Sequence, residues 1–112
     1  MKKLLVVWKS ENEIDISKFI VPFCYNSKAQ SWFTDVEVLI WGSSQIIVRE
    51  TLKYQEYVKT LIHNEIDVYA CKMCADDTGS TELLESLGVN VMYTGNYLAE
   101  KIKNPDWEVL TI

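Results

Sequence analysis

Histidine occurs once in this 112-residue chain, proline twice and cysteine three times. Each scarcity closes a route. A structural zinc site takes four ligands, usually as two paired clusters. One Cys-x-x-Cys pair, the distant Cys24 and the lone His63 supply no second cluster, so neither metal nor cofactor is expected within one chain. An odd number of cysteines argues against a scaffold of paired disulfides. The 11 basic residues are outnumbered by 16 acidic ones, for a net charge of −5. No block of lysine or arginine is present to follow a phosphate backbone, and nucleic acid is not an expected partner. Long apolar runs are missing as well. The opening run from Leu4 to Trp8 is five residues, against roughly seven to fifteen in a secretory signal and about 20 in a membrane span. The expectation is a cytoplasmic protein without membrane contact, whose thiols are kept reduced.

Core material is ample: 48% of the residues are hydrophobic, enough for one domain spanning 1–112. Short runs rich in β-branched and aromatic residues predict strands at 3–8, 36–41, 67–71, 90–94 and 108–112. The second is almost continuously apolar, as a strand covered on both faces should be. Between them, Tyr54, Tyr57, Val58, Leu61 and Ile62 fall on one face of a helix. A second helix is expected over 16–33, with Phe19, Ile20, Phe23 and Cys24 on one side and Pro22 starting or kinking it. A third is expected over 79–87, capped by Thr78 or Ser80 and closed by Gly88. A fourth, over 96–103, is stopped by Asn104 and Pro105. Alternation of this kind predicts an α/β fold, a three-layer α/β/α arrangement around a five-stranded, mainly parallel sheet.

Chemistry in such sheets collects beyond the carboxyl ends of the strands. Three loops qualify: "KSENE" after the first strand, "WGSS" after the second and "KMCADDTGS" after the third. The third follows Cys71 and contains Cys74. A Cys-x-x-Cys pair can grip a metal, cycle through a disulfide, carry sulfur or sit in a core. A helix N-terminus lowers a thiol's pKa, and Lys72 would add to that, whereas Asp76 and Asp77 oppose it. Cys74 is placed to resolve an oxidised or persulfidated Cys71. The plainer reading makes Cys71 a small buried residue and Cys74 an accident of the loop. Thioredoxin-like exchange is a rival, but it needs a cis-proline strand that Pro22 and Pro105 do not supply.

The stretches "KKLLVVW", "NSKAQSWFTDVEVLIWGSS" and "ACKMCADDTG" together make nearly the full length resemble the DsrE/DsrF-like (YchN-like) family of small α/β proteins, which includes sulfur-relay subunits. The resemblance implies a DsrE/YchN-like sheet, flavodoxin-like in general layout. Cys71 and Cys74 match the family's paired cysteine positions and Gly79 its glycine. Thr78 stands where many relatives have arginine. What the resemblance implies is a sulfur-relay or thiol-redox carrier, a sulfurtransferase-like subunit using Cys71 and Cys74. It further implies a homo-oligomer, a trimer or a hexamer built as a dimer of trimers, with the cysteine loop near subunit contacts, and a sulfur-donor or acceptor protein as partner. The competing readings are a non-catalytic oligomeric scaffold with structural cysteines and a binder of a small anionic ligand.

The remaining notable residues divide between edge and core. Trp8, Gly42, Ser43, Ser44 and Gly79 stand at the strand-end edge as candidate ligand contacts, with a helix cap as the plainer role for the serines. Trp8 and Trp41 end strands there. With Tyr69 they would line a pocket or, preferably, a subunit interface. Trp32 and Trp107 are expected as packing anchors, Cys24 as core filler, His63 as an exposed residue of a last helical turn, and Glu11 and Glu13 as solvated.

Overall fold

The computed structural model describes residues 2–112. Five strands, β1 (Lys3–Trp8), β2 (Val36–Ile40), β3 (Asp67–Cys71), β4 (Asn90–Met92) and β5 (Trp107–Thr111), form one sheet in the order β4-β3-β2-β1-β5. Every neighbouring pair is parallel. The strands therefore need crossovers, and six helices supply them: α1 (Val21–Ala29), α2 (Ser43–Glu50), α3 (Leu52–His63), α4 (Lys72–Thr78), α5 (Thr81–Ser86) and α6 (Gly95–Lys103). No helix among the described residues is long and apolar enough to cross a membrane.

Period-two alternation divides the strand side chains between two unequal layers. Leu4, Val6, Trp8, Val36, Val38, Ile40, Val68 and Ala70 meet residues of α1 to α5 in the main core. Leu5, Val7 and Leu39 point the other way and are covered by Tyr97 and Leu98 of α6. Wholly buried side chains such as Ile16, Ile20, Ile40 and Leu61 each contribute roughly 1.5–3 kcal/mol through burial. The one-helix layer also holds charge. Glu37 accepts a hydrogen bond from the Tyr97 hydroxyl and pairs with Lys101 at 3.4 Å, both partners largely shielded from solvent. The Lys101 ammonium lies 3.5 Å from the centre of the Trp107 ring, which makes Trp107 the packing anchor expected of it.

Three expectations about the first crossover change. The helix ends at Ala29 rather than near 33, and a π-helical segment, Asp15–Ile20, precedes it. Pro22 lacks the N–H that an α-helical ladder would use, and a widened turn just before it absorbs the loss. The buried stripe is Ile16, Ile20, Cys24 and Ser27, while Phe19 is exposed. Trp32, expected as an anchor, is 57% exposed and only flanks Phe23.

Two whole helices replace expected turns. Ser43–Glu50 is α2, and Lys72–Thr78, read as loop, is α4. Helix α2 straps the strand ends together. The Ser44 hydroxyl donates to the Trp8 carbonyl at 2.5 Å, and the Gln45 amide donates to the carbonyls of Ile40 and Cys71 at 3.1 and 3.2 Å. Both side chains are completely buried.

Helix α3 ends in a Schellman motif. The Glu65 N–H bonds to the Ile62 carbonyl and the Ile66 N–H to the Leu61 carbonyl. Ile66 and Leu61 are both in the core. Glu65 consequently adopts a left-handed conformation at φ 64°, which costs a side-chain-bearing residue about 1 kcal/mol. Glu65→Gly is expected to raise the unfolding free energy by roughly 0.5–1 kcal/mol, measured by urea denaturation. No gain would mean that Glu65 makes a compensating contact.

Glu13 is not simply solvated. It accepts hydrogen bonds from Lys53, Ser17 and Tyr54, tying the end of the first loop to α3. Those partners, Lys53 first, lower its carboxyl from 4.5 to about 2. A lowered carboxyl stabilises the fold above its unfolded value, and the contribution is lost as pH falls through the folded value. Wild type should therefore melt above Glu13→Gln at pH 7, with the gap closing between about pH 4.5 and 2 and shrinking in high salt. A gap independent of pH would show that the carboxylate charge is not responsible.

Candidate functional site

Cys71 is at once the last residue of β3 and the N-cap of α4, with no loop between them. A strand residue at φ −70°, ψ 118° leads straight into the helix, which puts Cys74 in the first turn, three residues on. Residues at i and i+3 share one face of a helix. The same turn therefore holds both sulfurs close to one another. Both are free thiols, Cys71 at 4% exposure and Cys74 half-buried. Cys71 is thus the more buried of the two, and Cys74 is the one nearer water.

The sheet order brings the two neighbouring strand ends to this turn. On one side β2 delivers Trp41 and Gly42. On the other, β4 runs with Met92 opposite Cys71, and the chain then passes through Thr94. Burial pushes the Cys71 thiol up, but the Cys74 amide, the Cys74 thiol, the Thr94 hydroxyl and the Met73 amide outweigh it and hold the thiol below its ordinary value. No conventional side-chain hydrogen bond closes the α4 cap, so the amides act on the sulfur as nearby donors rather than as a full capping bond. Cys74 is pushed upward by burial and by the Cys71 sulfur, against the Gly42 amide and the Trp41 indole N–H. Cys71 is therefore the first of the pair to become a thiolate. Every group favouring that charge is a neutral dipole. Lys72, expected to help, is spent on Asp76 at 2.9 Å.

The other expected edge residues fall elsewhere. Trp8 is fully buried, its indole N–H donating to the Ser10 carbonyl, so it touches no ligand edge. Ser44 is the buried strap described above, and Ser43 is exposed with its hydroxyl 3.4 Å from the Lys9 carbonyl. Gly42, at φ 78°, makes the sharp turn from β2 into α2 and is the one edge glycine beside the thiols. Gly79, at φ 68°, ends α4, and the Ser80 N–H returns to the Ala75 carbonyl across it. It lines a shallow hollow with Asp76, Thr81, Glu82 and Glu85, acidic and unsuited to an anion. Near it, the Arg49 guanidinium of α2 donates to the Thr78 carbonyl. Cys24 is core, its thiol pushed up to about 12 by burial, and His63 is exposed in the last turn of α3. No group of three or more His, Cys, Asp or Glu able to hold a metal occurs among the described residues. Sequence reasoning missed Thr94 and Gln45, for both act through a strand order that no local pattern encodes.

No family model matches the chain, and no curated protein sequence matches it. Solved structures do. A conserved protein of unknown function from Bacteroides thetaiotaomicron superposes with a TM-score of 0.95 at 26% identity, over 99% of this chain and 95% of that one. The ychN protein of E. coli gives 0.77 at 20% identity, and a protein of unknown function from Methanobacterium thermoautotrophicum gives 0.70 at 16%. Each of these two is matched over the full length of both chains. The fold is therefore that of the YchN-like α/β proteins, with a sheet parallel throughout.

Native alkylation should separate the three thiols. Iodoacetamide at pH 8 is expected to modify the Cys71–Cys74 pair while Cys24 stays intact until the chain unfolds, as peptide mass mapping would show. A resistant pair, or a reactive Cys24, would contradict the placement of these side chains.

Proposed function

We propose that this chain is a DsrE-like thiol carrier in which Cys71 accepts sulfur or oxidising equivalents and Cys74 resolves the product. The observation that supports it most is the thiol at the strand-to-helix junction, held toward its thiolate by neutral donors and paired with a second thiol nearer solvent. The YchN-like fold is consistent with it. In the sulfur-relay form, the Cys71 thiolate attacks the outer sulfur of a donor persulfide. The donor's S–S bond breaks, a Cys71 persulfide forms and the donor leaves as a thiolate. An acceptor thiolate attacking that outer sulfur completes the relay and restores the Cys71 thiolate. In its absence the Cys74 thiol attacks the inner sulfur, releasing hydrogen sulfide and leaving a Cys71–Cys74 disulfide. The two cysteines are then oxidised and the transferred sulfur reduced.

Met73, between the two cysteines in α4, and Tyr93, next to Thr94, are 59% and 72% exposed. We read them as contacts of a homo-oligomer, a trimer or hexamer, or of the donor or acceptor protein. The same exposed pair, with Cys71 itself only 4% exposed, favours the second reading, a non-catalytic oligomeric scaffold.

Treatment with glutathione persulfide, followed by intact-protein mass spectrometry, separates them. Under the carrier reading wild type gains sulfur and ends as a disulfide, Cys74→Ser retains the added sulfur at least tenfold longer, and Cys71→Ser gains none. Loading of Cys71→Ser at the wild-type level would remove the carrier reading and leave the scaffold.

A further inference from the structure

Thr94 sits where a threonine normally has a defined task. It is the N-cap of α6, a position whose hydroxyl ordinarily accepts an N–H from the first turn. Here it makes no such bond. The residue is 1% exposed, and Oγ1 has no hydrogen-bond partner. Buried hydroxyls left unpartnered are disfavoured, and the exceptions ask for a reason. The reason lies across the sheet edge. Cys71 and Met92 are register partners, and Thr94 lies two residues beyond Met92. The chain leaving β4 thus brings the unpartnered hydroxyl to the side of Cys71, whose sulfur becomes an acceptor when it ionises.

We propose that Thr94 is a positioning residue for Cys71: its hydroxyl, excused from capping α6, donates a hydrogen bond to the anionic sulfur and orients it for attack. The consequence for sulfur transfer rests on the carrier reading above. The hydrogen bond itself does not. A neutral hydroxyl suits a thiolate because it adds no competing charge, and its hydrogen bond strengthens when the acceptor is ionised.

The titratable groups from the surrounding elements do not obscure the test. Cys74 of α4 is raised and ionises after Cys71. Lys72 of α4 is paired with Asp76. Tyr69 of β3 and Tyr97 of α6 are raised, each chiefly by burial, and remain neutral where a thiol titrates. Tyr93 adjoins Thr94 and is itself exposed.

The experiment is the pH dependence of Cys71 alkylation by iodoacetamide, followed by peptide mapping in the full chain, for wild type, Thr94→Val, Thr94→Ala and Thr94→Ser. Valine keeps the volume and removes the donor, alanine serves if valine disturbs folding, and serine keeps the donor and removes the methyl. The midpoint is expected to rise by about one pH unit in the valine and alanine variants, equivalent to a tenfold smaller thiolate fraction at neutral pH, and to stay at the wild-type value in serine. A wild-type midpoint in a folded valine or alanine variant would overturn the proposal. So would a serine variant that shifts like valine, because packing of the methyl group would then be the cause. No sulfur donor enters this measurement. A Thr94 effect without persulfide loading would remove the carrier reading alone, and loading without a Thr94 effect would remove this proposal alone.

Discussion

The structure turns on the direct passage of β3 into α4. Because no loop intervenes, Cys71 has to satisfy two environments with one side chain: the end row of a parallel sheet and the open amides of a helical first turn. Burial alone would make this sulfur an inert core residue, which is the fate of Cys24. The amides of Met73 and Cys74 reverse the outcome, and the lowered Cys71 thiol is the net of those two opposed effects. The neighbouring strands then matter as sources of further dipoles, Thr94 from beyond β4 and, at Cys74, Trp41 and Gly42 from beyond β2. Lys72, the cation adjacent to the pair, is held by Asp76, so the charge on Cys71 is left to these dipoles.

The remainder of the fold keeps that junction in place. Gln45 joins the carbonyls of Ile40 and Cys71, so the ends of β2 and β3 cannot separate without breaking a buried amide bridge. Ser44 does the same for β1 and β2. At the far end of α4, the turn through Gly79 and the Arg49 contact with Thr78 fix the helix from its other terminus. Opposite the main core, a single nine-residue helix covers the sheet. There the pairing of Glu37 with Tyr97 and Lys101 resolves what would otherwise be an unpaired charge in a largely apolar strand.

Much of the scaffold was legible in the residues. The strands lie within one or two positions of the runs that signalled them, α3 shows the apolar face its spacing announced, and alternation implied parallel pairing. The failures share a cause. Helix α4 is short, polar and free of apolar periodicity, so its own sequence resembles a loop, and the glycine that ends it resembles a motif element. Helix α2 opens on serines that read equally well as a turn, while its purpose is set by carbonyls of three different strands. Phe19 is apolar yet exposed because hydrophobicity states what a residue can bury and not which side of a widened helical turn it faces, and Trp32 is exposed in the connection beyond the end of α1. Thr94 and Trp41 reach the thiols only because β4 and β2 both flank β3. Strand order is a property of the packed whole, which left Cys71 recognisable as a candidate and its supporting donors invisible.

The central claim concerns the charge state of one sulfur. Thiolate absorbance near 240 nm, titrated against pH in wild type and in Cys71→Ser, isolates the contribution of residue 71 by difference. A midpoint clearly below the free-cysteine value of about 8.5 is the expected result. A midpoint at or above that value would mean that burial prevails over the surrounding dipoles, and the junction of β3 and α4 would be a structural feature only.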